Sequence, residues 1–251
     1  KMSETTLVPK VSIGMPVFNG ERSIRAALDS LIAQSFHDFE LIISDNASTD
    51  GTERICREYA GRDRRIRYLR QSANIGGSSN FKSVLDEARG EYFMWSACDD
   101  IRSPNFVEVN LAFLSVNPDY VASTSPNGFE GKSIPEQTLV KFALDGELFD
   151  RYVQFFDNSF SSHGIFYSLM RTQILRDCES LREIFPGFDW LGIDWAIILY
   201  LASKGKVNRA SDGYTIFGVK GVSSRDDIFT LYSVGAIEKI IPFSRFTRFA
   251  I

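Results

Sequence analysis

Histidine is nearly missing from this chain: in 251 residues only His37 and His163 occur. A histidine-rich metal site is therefore excluded. Cysteine is scarce too. Cys56, Cys98 and Cys178 stand far apart and form neither a CxxC pair nor a zinc spacing. An odd count does not suggest a disulfide framework, so a reducing, cytoplasmic setting is the simplest expectation. An excess of positive charge is also lacking. With 28 Lys and Arg against 32 Asp and Glu, the net charge is −4, and no basic footprint for nucleic acid exists at this level. Long apolar runs are absent. "WAIILYLA" at 195–202 is too short to span a bilayer, and "KMSETTLVPK" at the start is short and polar, without a leader pattern.

Several phosphate-binding and nucleophile signatures are missing as well. No GxGxxG follows the first predicted strand, no GxxxxGK[ST] occurs, and no G-x-S-x-G elbow is present. A site for a phosphorylated ligand would need another source of positive charge.

What is present is a rhythm. Residues 11–17, 39–45, 66–69, 91–97 and 120–124 read as strands. Between them Ile24, Ala27, Leu28, Leu31 and Ile32 follow helical spacing, as do Phe81, Val84, Leu85 and Ala88, and more loosely Phe106, Val109 and Phe113. Ser103-Pro104 reads as a helix start with Pro at the first position. The alternation predicts an α/β fold, a mostly parallel sheet with helices on both faces, whose ligands bind at the carboxyl ends of the strands. From Ser125 the rhythm breaks, and "SPNGFEGKSIPEQ" (125–137) reads as a loop. An apolar helix is expected at about 190–204, stopped at Lys204-Gly205. The division expected is 1–124 for the first half, 125–235 for the second, smaller lobe and 236–251 for a tail, all in one compact unit. The tail mixes Lys239, Arg245 and Arg248 with Phe243, Phe246 and Phe249. It suits an anionic membrane surface, its own domain, or a second subunit in a homodimer.

Polar residues collect where the strands end. Pro16, Phe18, Asn19 and Glu21 follow the first; Asp45, Asn46, Ser48 and Asp50 the second; Asn74, Gly76 and Gly77 the third; Asp99 and Asp100 the fourth. Each group alone has a structural explanation, as helix cap or turn. Together they converge on one sheet edge. Adjacent carboxylates repel, and a divalent cation such as Mn²⁺ or Mg²⁺ shared with a phosphorylated ligand would reconcile them.

The segments "VSIGMPVFNGERSIRAALDSLIAQSFHDFELIISDNASTDGT", "NIGGSSNFKSVLDEARGEY" and "CDDIRSP" resemble the family 2 glycosyltransferases, in order and spacing, over roughly residues 10–115. A second match lies around "GFDWLGIDWAIILYLASKG". The resemblance implies the GT-A fold and inverting transfer of a sugar from a nucleoside diphosphate, UDP by frequency, to an acceptor hydroxyl. The acceptor would be a glycan, a lipid-linked molecule or a protein, in synthesis of bacterial surface polysaccharide or glycan. It implies that Pro16, Phe18, Asn19 and Glu21 contact base and ribose, that Asp45 bonds the base with Asn46 and Ser48 shaping the turn, and that Asn74, Gly76 and Asn80 line the nucleotide-sugar pocket. Asp99 and Asp100 would fill the DxD role, with Mn²⁺ or Mg²⁺. Two departures stand out: Ala97 replaces the first Asp of a common D-x-D-D form, and "FGVKGVSSRDD" lacks the late histidine of many relatives. Lys220 or Arg225 could meet the diphosphate there instead.

Asp194 is the candidate base, chiefly because the resemblance implies an acidic base just before an apolar helix. On a helix it shares a face with Ile197, Ile198 and Leu201, so it should point inward, where partial burial raises its basicity. The competing reading is an Asp stabilised at a helix N-terminus, and Asp189 is the second candidate. His163 reads either as an acceptor or phosphate contact or as a structural hydrogen-bonder. Trp190 and Trp195 could stack on a sugar ring, but aromatics at helical spacing read first as core, and Cys98 reads as a strand-end filler. Two rivals remain: a sugar-1-phosphate nucleotidyltransferase, for which "PVFNGERS" is poor in Gly, Arg and Lys, and a non-catalytic sugar-nucleotide-binding module.

Overall fold

The computed structural model describes residues 8–131, 142–158, 163–184 and 193–218. Seven strands form the main sheet: β1 (Val11–Val17), β2 (Phe39–Asp45), β3 (Ile66–Arg70), β4 (Tyr92–Trp95), β6 (Tyr120–Thr124), β8 (Leu169–Arg171) and β9 (Lys206–Arg209). Their order is β3-β2-β1-β4-β8-β6-β9. Only β8 runs against its neighbours; two reversals cancel, so β6 and β9 point the same way as β1. The carboxyl ends of β1, β2, β4, β6 and β9 thus share one edge, joining both sequence halves in a single sheet.

Central strands covered on both faces read as continuous apolar runs. Every residue of β1 and β2 is buried. Side chains alternate between two cores. Tyr92 and Met94 face the layer of α1 (Ile24–Ile32), α2 (Thr52–Arg62) and α4 (Phe106–Val116), whereas Phe93 and Trp95 face α3 (Gly77–Asp86), α6 (His163–Phe166) and α8 (Ile193–Lys204). The remaining helices are α5 (Leu148–Asp157) and α7 (Thr172–Ile184). Gly14 lets α3 sit on β1: a Cβ there would lie 2.6 Å from Val84 and 2.7 Å from Phe93.

Pro16 lies within a central strand, where proline ordinarily removes a ladder bond. The Gly14 carbonyl accepts from Ser96, so even-numbered residues of β1 turn to β4. Pairing with β4 ends at Gly14–Trp95. The missing N–H of Pro16 therefore falls just past the ladder.

A second sheet holds β5 (Ile101–Arg102), β10 (Thr215–Phe217) and β7 (Asn127–Phe129), in the order β5-β10-β7. It corrects two expectations. The 125–137 segment is not all loop, because Asn127–Phe129 pairs in parallel with β10; three residues are too few to show a period. Pro104 does not begin a helix. Ile101–Arg102 first pairs with β10, and α4 starts at Phe106, after Asn105. The fourth strand also ends earlier than expected, at Trp95.

Candidate functional site

The loops after β1 and β2 are laced together. Asn19, at φ 53°, accepts from the Thr49 amide at 2.8 Å, and its own amide donates to the Ser48 hydroxyl at 2.9 Å. The Gly20 amide donates to Thr52 Oγ1, and Glu21 accepts from the Gly51 amide. Ala47 sits at φ 60°. Two non-glycine residues in the left-handed region within one loop pair are uncommon, and such strain concentrates at functional sites. Phe18 projects beside them, about half exposed, at 48%.

Asp45 anchors the β2 end. It is fully enclosed; one oxygen accepts from the Ser48 amide at 2.8 Å, the other from Tyr68 Oη and Arg70 Nη1, both at 2.7 Å. Burial pushes its pKa up, but the bonds from Ser48 and Tyr68 and the Arg70 charge outweigh burial and hold it below the ordinary value. Its oxygens are thus committed to the protein. Asn46 reaches the next loop, donating to Asn74 Oδ1 at 2.9 Å and accepting from the Ile75 amide at 2.8 Å. Gly76, at φ 85°, precedes α3. Asn80 locks α3 to β2 through Ser44, accepting from its hydroxyl at 2.6 Å and donating to its carbonyl at 2.9 Å. Pro16, Asn19, Asp45, Asn46, Ser48, Asn74, Gly76 and Asn80 therefore share one rim.

Asp99 and Asp100 follow β4 on the same edge. Asp100 is 3% exposed. Its Oδ1 accepts from the Gly218 amide at 3.3 Å, while Oδ2 has no partner. Burial pushes its pKa up to about 7, with Arg102 pulling down and Asp99 pushing up. Arg102 is buried as well, donating to Thr215 Oγ1 and the Trp95 carbonyl, both at 3.0 Å, and stacking 4.4 Å from the Phe106 ring. Asp99 is more open; burial raises its pKa, and Glu130 adds to this. Gly218 keeps close to it: a Cβ there would lie 2.4 Å from Asp99 Oδ2.

Asp194 lies in the first turn of α8, above buried Ile197, Ile198 and Leu201. Burial raises its pKa, against backbone bonds at Trp195 and at Asp194 itself. One further residue, which the sequence does not single out, is under the electrostatic influence of all three acids. Tyr167 follows α6; its neighbour Phe166 stacks flat on Trp95, with centroids 4.8 Å apart, and its own ring packs 5.7 Å from Phe217. Its hydroxyl feels Asp100, Asp99 and Asp194 together, so the phenol stays neutral far above the ordinary value, burial being the leading cause. Only the crossing of α6, β8 and β10 brings it there. Trp195 packs edge-on to Phe155 at 5.8 Å, in the core.

Among the described residues no group of three or more His, Cys, Asp and Glu side chains gathers as a metal cage. Asp99 and Asp100 nevertheless fit a hard divalent cation. Their donors are oxygens, one buried Asp100 oxygen is unpaired, and Mg²⁺-type sites commonly take one or two carboxylates and complete the shell with phosphate and water. His163 opens α6, but its side chain, like Asp189, Trp190, Lys220, Arg225 and the 236–251 tail, lies outside the described residues. No described helix is long and apolar enough to cross a membrane.

A family model described as glycosyl transferase family 2 matches residues 12–185, well over half of the chain. The putative glycosyltransferase EpsE of Bacillus subtilis is 35% identical over 113 residues, covering 45% of this chain and 41% of that protein. An uncharacterized glycosyltransferase of Rickettsia typhi is 31% identical over 156 residues, 59% of this chain and 48% of its own. The chain spans less than half the length of these curated relatives. Residues 1–349 of S. aureus TarS, solved in complex with UDP-GlcNAc, superpose with a TM-score of 0.67 at 20% identity, covering 90% of this chain and 66% of that one. The mannosyltransferase PcManGT of Pyrobaculum calidifontis, in complex with GDP-Man and Mn²⁺, gives 0.57 at 18% identity, covering 84% and 57%. At these identities the solved structures establish the fold, GT-A.

Proposed function

Since the chain belongs to glycosyl transferase family 2, we propose that it transfers a hexose from a nucleoside-diphosphate sugar, with UDP as the default nucleotide, to an acceptor hydroxyl with inversion. The acceptor class is a surface glycan, a lipid-linked precursor or a protein. The observation that carries this reading is the acid pair after β4, on the same carboxyl edge as the laced loops: Asp100 is 3% exposed and keeps one oxygen without a partner, beside the more open Asp99.

The roles follow from chemistry. The rim of Pro16, Phe18, Asn19, Glu21, Asn46, Ser48, Asn74, Gly76 and Asn80 receives the nucleotide, with Asp45 fixing the turn beneath it. Asp99 and Asp100 would hold Mn²⁺ or Mg²⁺, which when bound offsets the charge of the departing diphosphate. The acceptor oxygen forms a bond to the anomeric carbon as the bond from that carbon to the phosphate oxygen breaks. Asp194 takes the acceptor's proton; its desolvated carboxylate is a stronger base than one in water. Tyr167 donates a hydrogen bond and keeps its proton throughout.

Asp194→Asn tests the assignment. The variant should bind nucleotide sugar as the wild type does and lose transfer by about 10²- to 10⁴-fold, the usual contribution of a general base. Turnover at the wild-type rate would remove Asp194 from the mechanism.

A further inference from the structure

Two guanidinium groups lie inside the carboxyl edge of the sheet, and they differ in one respect. Arg102 faces Asp100. Arg209, at the end of β9, faces no carboxylate among the described residues; burial alone pulls its pKa to about 10, which leaves it protonated at neutral pH. Its Nε donates to the Phe142 carbonyl at 2.7 Å, and its Nη1 to the Ser125 carbonyl at 2.8 Å and Asn127 Oδ1 at 2.9 Å. Its Nη2 is closed from solvent and has no partner.

Asn127, 1% exposed, repeats the pattern. Its oxygen is taken by Arg209, while its Nδ2 is sealed and unpaired. The orientation of the amide follows from this, because a flip would turn NH₂ onto the guanidinium. Two unsatisfied donors, one cationic, thus belong to a single bonded pair. Burying such donors unmatched costs free energy, and a buried charge without a counter-charge costs more.

We propose that Arg209 and Asn127 form a binding site for an oxyanion, a carboxylate or a phosphate group, on the acceptor side of the cleft. The position supports this. Arg209 pairs in register with Thr124 at the end of β6, on the edge that carries the donor-side acids. Asn127 pairs with Thr215, which pairs in turn with Arg102, so the new site lies in line with Arg102 across the small sheet. Guanidinium and amide N–H groups together suit the planar or tetrahedral oxygens of an acid better than a neutral hydroxyl. Gly164 of α6 lies against the Asn127 amide, where a Cβ would come within 2.3 Å of Oδ1. The same oxygens could come from a free anion or from an acidic acceptor; the second source rests on the glycosyl-transfer reading, the first does not.

The test is thermal unfolding of the full chain in sodium phosphate and sodium acetate, against sodium chloride at equal ionic strength. The wild type should show a saturable rise in Tm with the oxyanions alone. Asn127→Asp places a carboxylate oxygen where Nδ2 stands, so it should begin with a higher Tm and lose the response. Should it not fold, Asn127→Ala should weaken the response about tenfold in half-saturating concentration, one neutral donor's worth. Methyl glucuronide acting at lower concentration than acetate, with methyl glucoside inert, supports an acidic acceptor; equal effects of glucuronide and acetate support a free anion. An equal rise in chloride overturns the site. So does an oxyanion response kept intact in the Asn127 variant, since it would arise elsewhere. None of these readings needs turnover, so they stand apart from the outcome with Asp194→Asn.

Discussion

Asp194 is placed where a carboxylate is costly. Its folded pKa is raised by burial, so the stability it contributes is present below its ordinary value of 3.8 and is lost as pH rises through the raised folded value. At neutral pH the ionised group therefore destabilises the fold, and Asp194→Asn should raise Tm at pH 8 relative to the wild type, with the gain vanishing near pH 4. A pH series of melting curves checks this; a Tm lowered at pH 8 would contradict a desolvated carboxylate. The same sign governs catalysis: transfer should rise with pH as Asp194 ionises. Tyr167→Phe is the companion variant. The ring keeps its packing on Phe166 and Phe217, and only the O–H is lost. If the hydroxyl donates to a charged group in the reacting complex, as proposed, its loss should lower kcat/KM about 10- to 100-fold with Tm nearly unchanged, and an unaltered kcat/KM would remove Tyr167 from the mechanism. The inward face of Asp194 is legible because a helix face can be read from spacing, while its role as base comes chiefly from the family resemblance. Tyr167 is not, since nothing in "HGIFYSLM" indicates that β10, fifty residues on, will meet it.

At the scale of elements, glycine spacing separates packing from propensity. Gly14 lies under α3, with Val84 and Phe93 inside the reach of a Cβ. Gly14→Ala must push the helix off the sheet and should cost about 1–3 kcal/mol, or roughly 2–12 °C in Tm for a chain of this size. Gly61, in α2, has nothing within 4 Å; Gly61→Ala should gain about 0.5–1 kcal/mol from helix propensity. Opposite signs in paired melting curves are the expected outcome, and a destabilised Gly61→Ala would show that α2 is less regular than described. The same contrast explains what the sequence reveals of the elements. β1 and β2 are long enough to read as apolar runs, and the apolar faces of α1 and α3 are long enough to show a period. β5, β7 and β10 are two or three residues each, and they exist only because they pair with one another. Pro104 misleads for a related reason: its ring suits a helix start, but pairing of β5 with β10 delays α4 to Phe106.

For the whole molecule, the proposed function asks one sheet edge to serve a cation and a nucleotide together, which predicts coupled affinities. The donor side offers hydrogen-bonding loops and two acids that repel each other, with Asp100 held near neutrality. A nucleoside diphosphate alone brings more negative charge to those acids, and a divalent cation alone lacks the phosphate oxygens that complete its shell. Each should therefore bind weakly by itself and strongly together. Ligand at a hundred times its Kd stabilises by about 2.7 kcal/mol, which corresponds to a Tm rise of about 5–11 °C for a chain of this length. Melting curves with Mn²⁺, with UDP, and with both should show a rise for the pair that exceeds the sum of the separate effects, that EDTA reverses, and that Asp99→Asn abolishes. GDP in place of UDP discriminates the base. If UDP alone gives the full rise and EDTA leaves it untouched, Asp99 and Asp100 do not hold a cation for the donor, and the departing diphosphate must be stabilised by fixed charges of the chain.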